Sequence, residues 1–144
     1  MAVSKEPKVW TRIAAAGGLA LLTLSVFFIL RNYGPQTALR RFHIAAVQGD
    51  RAGLQGVTLQ DIRSQTADML RQRVQYAARI GGQFEILRVL LKGRQAEVDV
   101  RYTFPSQGFA AISVWRLRRE RGSWKVDADE TYRAMLTQGV NSQR

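Results

Sequence analysis

The sequence predicts an α+β protein in which helices come first and an antiparallel sheet follows. Three observations support this fold class. A long uncharged stretch stands near the amino terminus, apolar residues recur at helical spacing between residues 36 and 80, and from residue 84 they alternate with a period of two. Helices followed by a meander of strands are typical of α+β domains.

The uncharged stretch from Ile13 to Leu30 predicts a membrane anchor. A helix of this length rises about 27 Å, close to the roughly 30 Å hydrocarbon core of a bilayer. We predict a single transmembrane helix over residues 13–31, after a basic tail over residues 1–12. The anchor and its interfacial flanks are expected to include Trp10, Arg12, Ile13, Leu19, Leu22, Phe27, Phe28, Leu30, Arg31 and Tyr33.

Two other interpretations of this stretch exist. A buried core helix would show a polar side, whereas this segment is apolar all round. A cleaved signal peptide would end in small residues, whereas Leu30 is followed directly by Arg31 and Asn32. The numbers of lysines and arginines on the two sides of the stretch are nearly equal, so they do not decide its orientation in the membrane. The short basic tail favours a cytoplasmic amino terminus. We expect a single-pass protein of the bacterial inner membrane with an extracytoplasmic domain.

Three helical elements are expected next. Pro35 suits the first turn of a helix over residues 36–48, and Gly49-Asp50 ends it. A short element over residues 51–54 and a loop follow. A long amphipathic helix is then predicted over residues 59–80, with the Gly81-Gly82 pair at its end. The apolar face of the first helix is Ala38, Leu39, Phe42, Ala45 and Ala46.

Four strands are expected after the glycine pair, over residues 84–91, 95–104, 109–119 and 124–128. The second alternates most clearly, with Glu97, Asp99 and Arg101 on one face and an inward face made of Ala96, Val98, Val100, Tyr102 and Phe104. Residues 131–136 predict a short helix or an irregular end. These elements place one soluble domain at residues 35–136 and a flexible tail at residues 137–144.

Two segments resemble the NTF2-like (cystatin-like) superfamily. "ALRRFHIAAVQGD" is similar to its opening helix, and "WRLRRERGSWKVD" is similar to its last hairpin. The resemblance, with the element order, covers nearly all of residues 35–130. It implies a cone in which a curved sheet of about four strands wraps around a long helix and leaves one end open. It implies no particular activity, because the superfamily contains enzymes, binding modules and scaffolds.

Composition excludes several kinds of chemistry. The chain has no cysteine and one histidine, so neither a disulfide nor a thiolate metal site can form, and no carboxylate pair stands at ligand spacing. We expect no metal and no cofactor. The net charge of +11 suits anionic lipid, an acidic protein or nucleic acid. No nucleic-acid-binding motif is present, and we expect no nucleic-acid partner.

His43 is the candidate pocket residue. It lies beside Phe42 at the edge of the apolar face of the first helix. In one interpretation it is a general base at the mouth of the cone, which would require a titratable partner within hydrogen-bond reach. In the other it is a histidine satisfied by its surroundings or at the surface. Asp99 is expected to face away from the core, so no partner is evident and no catalytic residue is assigned.

Arginines form the second candidate site. Alternation puts Arg116 and Arg118 on one face of the third strand, and adjacent strands carry further arginines. Carboxylates on the same strands could neutralise them across the sheet. The candidate partner-binding residues are Arg88, Arg101, Arg116, Arg118 and Arg121.

These features predict a non-catalytic accessory or scaffold subunit that is anchored in the membrane and docks onto other subunits of a larger membrane complex, with lipid as a second partner. An exported domain that binds a small apolar molecule or a lipid is the alternative, and an isomerase- or dehydratase-like enzyme is a further one. Large inward aromatics filling the cone would favour a scaffold. A hollow with His43 projecting into it would favour a ligand.

Overall fold

The computed structural model describes residues 14, 16–23, 25 and 34–141, with side chains to residue 139. The chain forms two compact units, Met1–Tyr33 and Gly34–Arg144. The described residues of the first unit are helical, and Leu19 and Leu22 among them are exposed. No helix within the described part of the chain is long and apolar enough to cross a bilayer. Most of the predicted anchor lies outside the described residues, namely Trp10, Arg12, Ile13, Phe27, Phe28, Leu30, Arg31 and Tyr33.

Two helices open the second unit. Helix α1 spans Pro35–Gln48, and its predicted apolar face is buried in full. Gly49 ends the helix in the left-handed conformation at φ 70°, which glycine adopts without steric cost. Helix α2 spans Arg51–Val57, longer than predicted, and the Asp50 side chain caps it by accepting from the Gly53 N–H at 2.9 Å.

Helix α3 spans Gln65–Arg79, so its predicted start at residue 59 is wrong. The Ser64 side chain caps the helix by accepting from the Ala67 N–H. The preceding segment is held elsewhere, because Thr58 bridges to Val126 and the Leu59 N–H donates to the Val126 carbonyl at 2.8 Å. Apolar spacing alone extended the predicted helix through residues whose backbone bonds to the sheet.

Four antiparallel strands form one sheet in the order β1-β2-β3-β4. They span Gln83–Lys92 (β1), Gln95–Phe104 (β2), Phe109–Glu120 (β3) and Ser123–Val126 (β4), and a 3-10 turn, Pro105–Gln107, joins β2 to β3. A bulge between Ile86 and Arg88 adds one residue to β1 relative to β2. The predicted α+β order, helices before an antiparallel meander, is confirmed.

The helices cover one face of this sheet, here called the inner face. Its side chains include Ala96, Val98, Trp115, Leu117 and Val126, which join α1, α2 and α3 in one buried core. The opposite, outer face carries Glu97 and Asp99, as predicted for Asp99. Because strand residues alternate between faces, a single strand supplies both.

Helix α4 spans Ala128–Asn141 and packs against β3 and α3. The sequence predicts only a short helix or irregular end at residues 131–136 and a flexible tail at residues 137–144. The helix continues past residue 136 to Asn141. Its first turn is held by the Asp127 carboxylate, which accepts from the Glu130 N–H, and by the Thr131 hydroxyl, which donates to the Arg116 carbonyl at 3.2 Å.

Candidate functional site

An apolar groove lies where the helices leave the inner face of the sheet incompletely covered. Its larger chamber, about 490 Å³, lies between α3, α4 and strands β2 and β3. Its smaller chamber, about 350 Å³, lies between α1, α3 and β1. Val74, Ala77 and Tyr102 line both chambers, so the two meet at this shared wall. Together the chambers form what is called the groove below.

Small side chains leave the larger chamber open. Ala77 on α3 faces Ala111 and Ser113 on β3 across the space, while Met69 and Met135 line its helical sides. Methionine is flexible and polarisable, and it adapts to ligands of different shape. The large Trp115 indole, 1% exposed, also lines this chamber and packs into the core beside it.

His43 and Tyr102 form a hydrogen-bonded pair at the wall of the smaller chamber. The His43 Nδ1 lies 2.9 Å from the Leu39 carbonyl, which can only accept, so Nδ1 carries the proton. The Nε2 therefore accepts from the Tyr102 hydroxyl, at 2.7 Å. The imidazole is 3% exposed and stacks on Phe84, with ring centroids 4.2 Å apart. Both ring nitrogens are thus occupied within the protein.

Burial keeps this pair neutral. Loss of solvent lowers the pKa of His43 from 6.5 to about 4, against the opposing effect of the Leu39 carbonyl. Burial likewise raises the pKa of Tyr102, an effect that the neighbouring Trp115 indole partly opposes. The Trp115 Nε1 is buried, and it has no hydrogen-bond partner of normal geometry among the described residues. At neutral pH the groove wall carries no charge from these side chains.

His43 lacks two features of a general base in this arrangement. A general base needs a free nitrogen and a pKa near the working pH, and His43 has neither. Within the described ranges, no three histidine or carboxylate side chains come together as metal ligands. The groove offers a largely apolar volume in which His43 and Tyr102 bond to each other and the Trp115 N–H is left without a partner among the described residues. Such a volume suits the binding of a largely apolar molecule.

The arginines predicted to bind a partner lie mostly on the outer face, and carboxylates accompany them. Arg88 contacts Asp99 at 2.8 Å and Arg116 contacts Glu97 at 3.1 Å. The remaining pairs are Arg101 with Glu85 at 3.7 Å and Arg118 with Asp127 at 3.2 Å. Arg121 lies in the exposed turn between β3 and β4 with a positive φ of 48°. The arginines therefore form a partly neutralised ladder instead of a uniform positive stripe.

Sequence reasoning placed His43 at the edge of an apolar face and Tyr102 on the inward face of β2, and the structure joins them. It did not identify the groove. Alternation shows which side chains point inward, but it does not show that Ala77, Ala111 and Ser113 would meet across an open space. The sequence signal that could have indicated the groove was the presence of small residues on α3 and β3, which face each other.

Comparison with known proteins finds similar structures but no related sequence. No family model and no curated protein matches the chain. A Campylobacter jejuni protein provisionally described as an NTF2-like transpeptidase is 17% identical, with a TM-score of 0.44, over 65% of this chain and 96% of its own. A de novo designed protein with a curved β-sheet is 14% identical, with a TM-score of 0.42, over 65% of this chain and 94% of its own. These similarities concern the overall fold and leave the contents of the groove to be argued from its residues.

Proposed function

We propose that residues 34–141 form an NTF2-like, non-catalytic binding domain that holds an apolar molecule in the groove. The observation that carries this proposal is the pair of adjoining apolar chambers, of about 490 and 350 Å³. Volumes of this order are typical of sites for small organic ligands. Transferring a hydrocarbon from water to such walls is favourable by about 25 cal/mol per Å² of apolar surface.

The neutral His43–Tyr102 pair supports binding without turnover. Its hydrogen bonds are made inside the protein, so an apolar ligand leaves no buried polar group unsatisfied there. A ligand that needed the donor or the acceptor of this pair would have to break its hydrogen bond. The pair therefore favours an apolar group at this wall.

The same chain is proposed to be anchored in a bacterial inner membrane by residues 13–31, with the binding domain outside the cytoplasm. Two hydroxyls of the apolar stretch support this proposal. Thr23 donates to the Leu19 carbonyl and Ser25 donates to the Leu21 carbonyl, each at 2.8 Å. Such back-bonding satisfies a hydroxyl within its own helix, as a lipid environment requires.

A second candidate function is the accessory subunit expected from the sequence, docked onto a membrane complex. The observation in its favour is on the outer face, where Ile112 is 55% exposed and Leu90 39% exposed among the ion pairs. Purification from the native host in mild detergent tests it. A stoichiometric partner is expected under this function, and a monomer without one would contradict it.

A matched pair of variants tests the binding proposal. Ala111 lines the larger chamber, whereas Ala110 beside it on β3 points to the outer face. Nile red, a neutral apolar dye, is titrated into the full chain held in an amphipathic polymer. Ala111→Trp is expected to weaken binding about tenfold or more, and Ala110→Trp by less than about twofold, because only the first fills the groove. Equal binding by the two variants would contradict the proposal.

A further inference from the structure

We infer that the ligand of the groove is a long-chain fatty acid whose carboxylate is bound by Arg73 at the rim of the larger chamber. This inference rests on the proposed function, because it names the ligand class of the same groove. It depends on three observations. These are the hydrogen-bond partner of Arg73, the charged residues in the lining of the larger chamber, and the few polar groups in the interior of the groove.

Arg73 makes only a weak hydrogen bond within the described part of the chain. It lies on α3, lines the larger chamber, and its Nη1 donates to the Met135 Sδ on α4 at 3.6 Å. A thioether is a poor acceptor, and no ion pair of Arg73 with a carboxylate is found within the described part of the chain. Seven other arginines pair with carboxylates, namely Arg63, Arg71, Arg88, Arg101, Arg116, Arg118 and Arg133. The remaining described arginines do not, and Arg73 differs from them because it lines the larger chamber.

Arg73 is also the one charged side chain among the described residues that line the larger chamber. An incoming carboxylate therefore meets one positive charge and no negative charge at this rim. Arginine binds carboxylates through paired N–H donors, and such charge-assisted bonds are about twice as strong as neutral ones. A ligand carboxylate would replace Met135 Sδ as the acceptor.

The polar atoms of the interior determine which chemical group can extend behind the carboxylate. The Tyr102 hydroxyl donates to His43, which leaves the Trp115 N–H, unpartnered among the described residues, and the Ser113 hydroxyl as the polar groups of the inner lining. A peptide would bring an N–H and a carbonyl with each residue, more than these two groups can satisfy, and each amide group left over costs about 1–3 kcal/mol. An alkyl chain brings none. A carboxylate at the rim with unbroken hydrocarbon behind it is a fatty acid.

The test compares palmitic acid with hexadecanol, which share an alkyl chain and differ in the charged group. Each carries a diazirine in its chain and is photolysed with the full-length protein in lipid vesicles. Mass spectrometry then measures labelling of the peptides that contain Met69, Ala111 and Met135. Palmitic acid is expected to label them about tenfold more efficiently than hexadecanol, a difference of about 1.4 kcal/mol.

Two arginines on the same helix provide the variant and its control. Arg73→Gln is expected to remove the preference for the acid, whereas Arg79→Gln, which lies outside both chambers, is expected to keep it. Both positions are exposed, so neither change should unfold the protein.

The outcomes separate the inference from the proposed function. Equal labelling by acid and alcohol in the unaltered protein, or a preference that survives Arg73→Gln, overturns the inference and leaves the groove a binder of neutral molecules. Labelling that misses the groove peptides, or that persists in Ala111→Trp, overturns the proposed function as well.

Discussion

The two faces of the sheet are built from the same strands and behave differently. The outer face balances its charges, with Glu97 lying between Arg88 and Arg116 and Asp99 beside Arg88. The inner face is apolar and densely packed in its core, but open beside α3 and α4, where the larger chamber of the groove lies. On the outer face, which carries the charged residues predicted from the sequence, most arginines form ion pairs with carboxylates of the same sheet. The unfilled volume lies on the apolar face.

The largest expected effect concerns the packed part of the inner face. Trp115 is 1% exposed and contacts Phe42 edge-on, with ring centroids 5.4 Å apart. Trp115→Ala should lower the free energy of unfolding by about 3–5 kcal/mol, because it leaves a cavity in the core. Chemical unfolding followed by circular dichroism measures this.

The control for that comparison is Ile112→Ala, which removes an apolar side chain from the outer face of the same strand. At 55% exposure, Ile112 should contribute less than about 1 kcal/mol. If Trp115→Ala and Ile112→Ala lowered the free energy of unfolding by similar amounts, the two faces would not differ in their contribution to stability.

Acid should lower the free energy of unfolding, because protonation of the buried His43 is unfavourable in the folded state. Its folded-state pKa of about 4 lies below the usual 6.5, so the unfolded chain binds the extra proton between these values. The stabilisation from neutral His43 is complete above about pH 6.5 and is lost as the pH falls toward 4, and it amounts to about 3 kcal/mol. Unfolding free energies measured across this range should fall less steeply in His43→Gln, where the remaining slope belongs to carboxylates. Parallel slopes in the two proteins would show that His43 is not buried in its neutral form.

A smaller effect on the free energy of unfolding is expected at Asp127, which lies between β4 and α4. The Asp127 side chain is 5% exposed and accepts from the Glu130 N–H and from Gln60 Nε2, so it caps α4 and ties it to the loop before α3. Asp127→Ala should cost about 1–2 kcal/mol. Asp127→Asn keeps an acceptor oxygen for the cap and removes the charge, so it should cost less. Thermal unfolding gives both values, and an equal effect of the two changes would contradict the capping role.

The smallest effects belong to the outer face. Replacing Arg116, Arg118 and Arg121 together with Gln should leave the fold intact. Loss of the Arg116–Glu97 pair should cost less than about 1 kcal/mol, because solvent screens it, and Arg121 makes no ion pair among the described residues. Arg118 should contribute most of the effect, because its partner Asp127 is 5% exposed. The same triple variant tests the docking function. If the triple variant no longer co-purifies with a partner at low salt, the arginines belong to an interface. If the triple variant keeps the partner even at high salt, the arginines only balance charge within the sheet.

Sequence reasoning predicted the fold well where side-chain periodicity decides it. The buried face of α1 and the alternation of β2 were predicted residue by residue. It did not predict the bulge at Leu87, which shifts the phase of β1 and turns Arg88 to the outer face opposite Asp99. Strict alternation from Phe84 would have pointed Arg88 inward. Bulges and helix caps depend on local hydrogen bonds, which apolar spacing does not contain.

The candidate site was harder to predict for a different reason. The sequence identified His43 and the inward position of Tyr102, but their 2.7 Å hydrogen bond joins α1 to β2. Such contacts depend on how the helices lie on the sheet. The groove is likewise a gap between elements, and a gap has no residue pattern of its own.

A crystal structure of the full chain with hexadecanol would show directly whether the groove binds apolar molecules, because this neutral ligand does not involve Arg73. We expect an alkyl chain in the larger chamber, in contact with Met69, Ala77 and Ala111, and an intact hydrogen bond between His43 and Tyr102. Hexadecanol bound to the outer face beside Ile112, with the groove free of it, would contradict binding on the inner face.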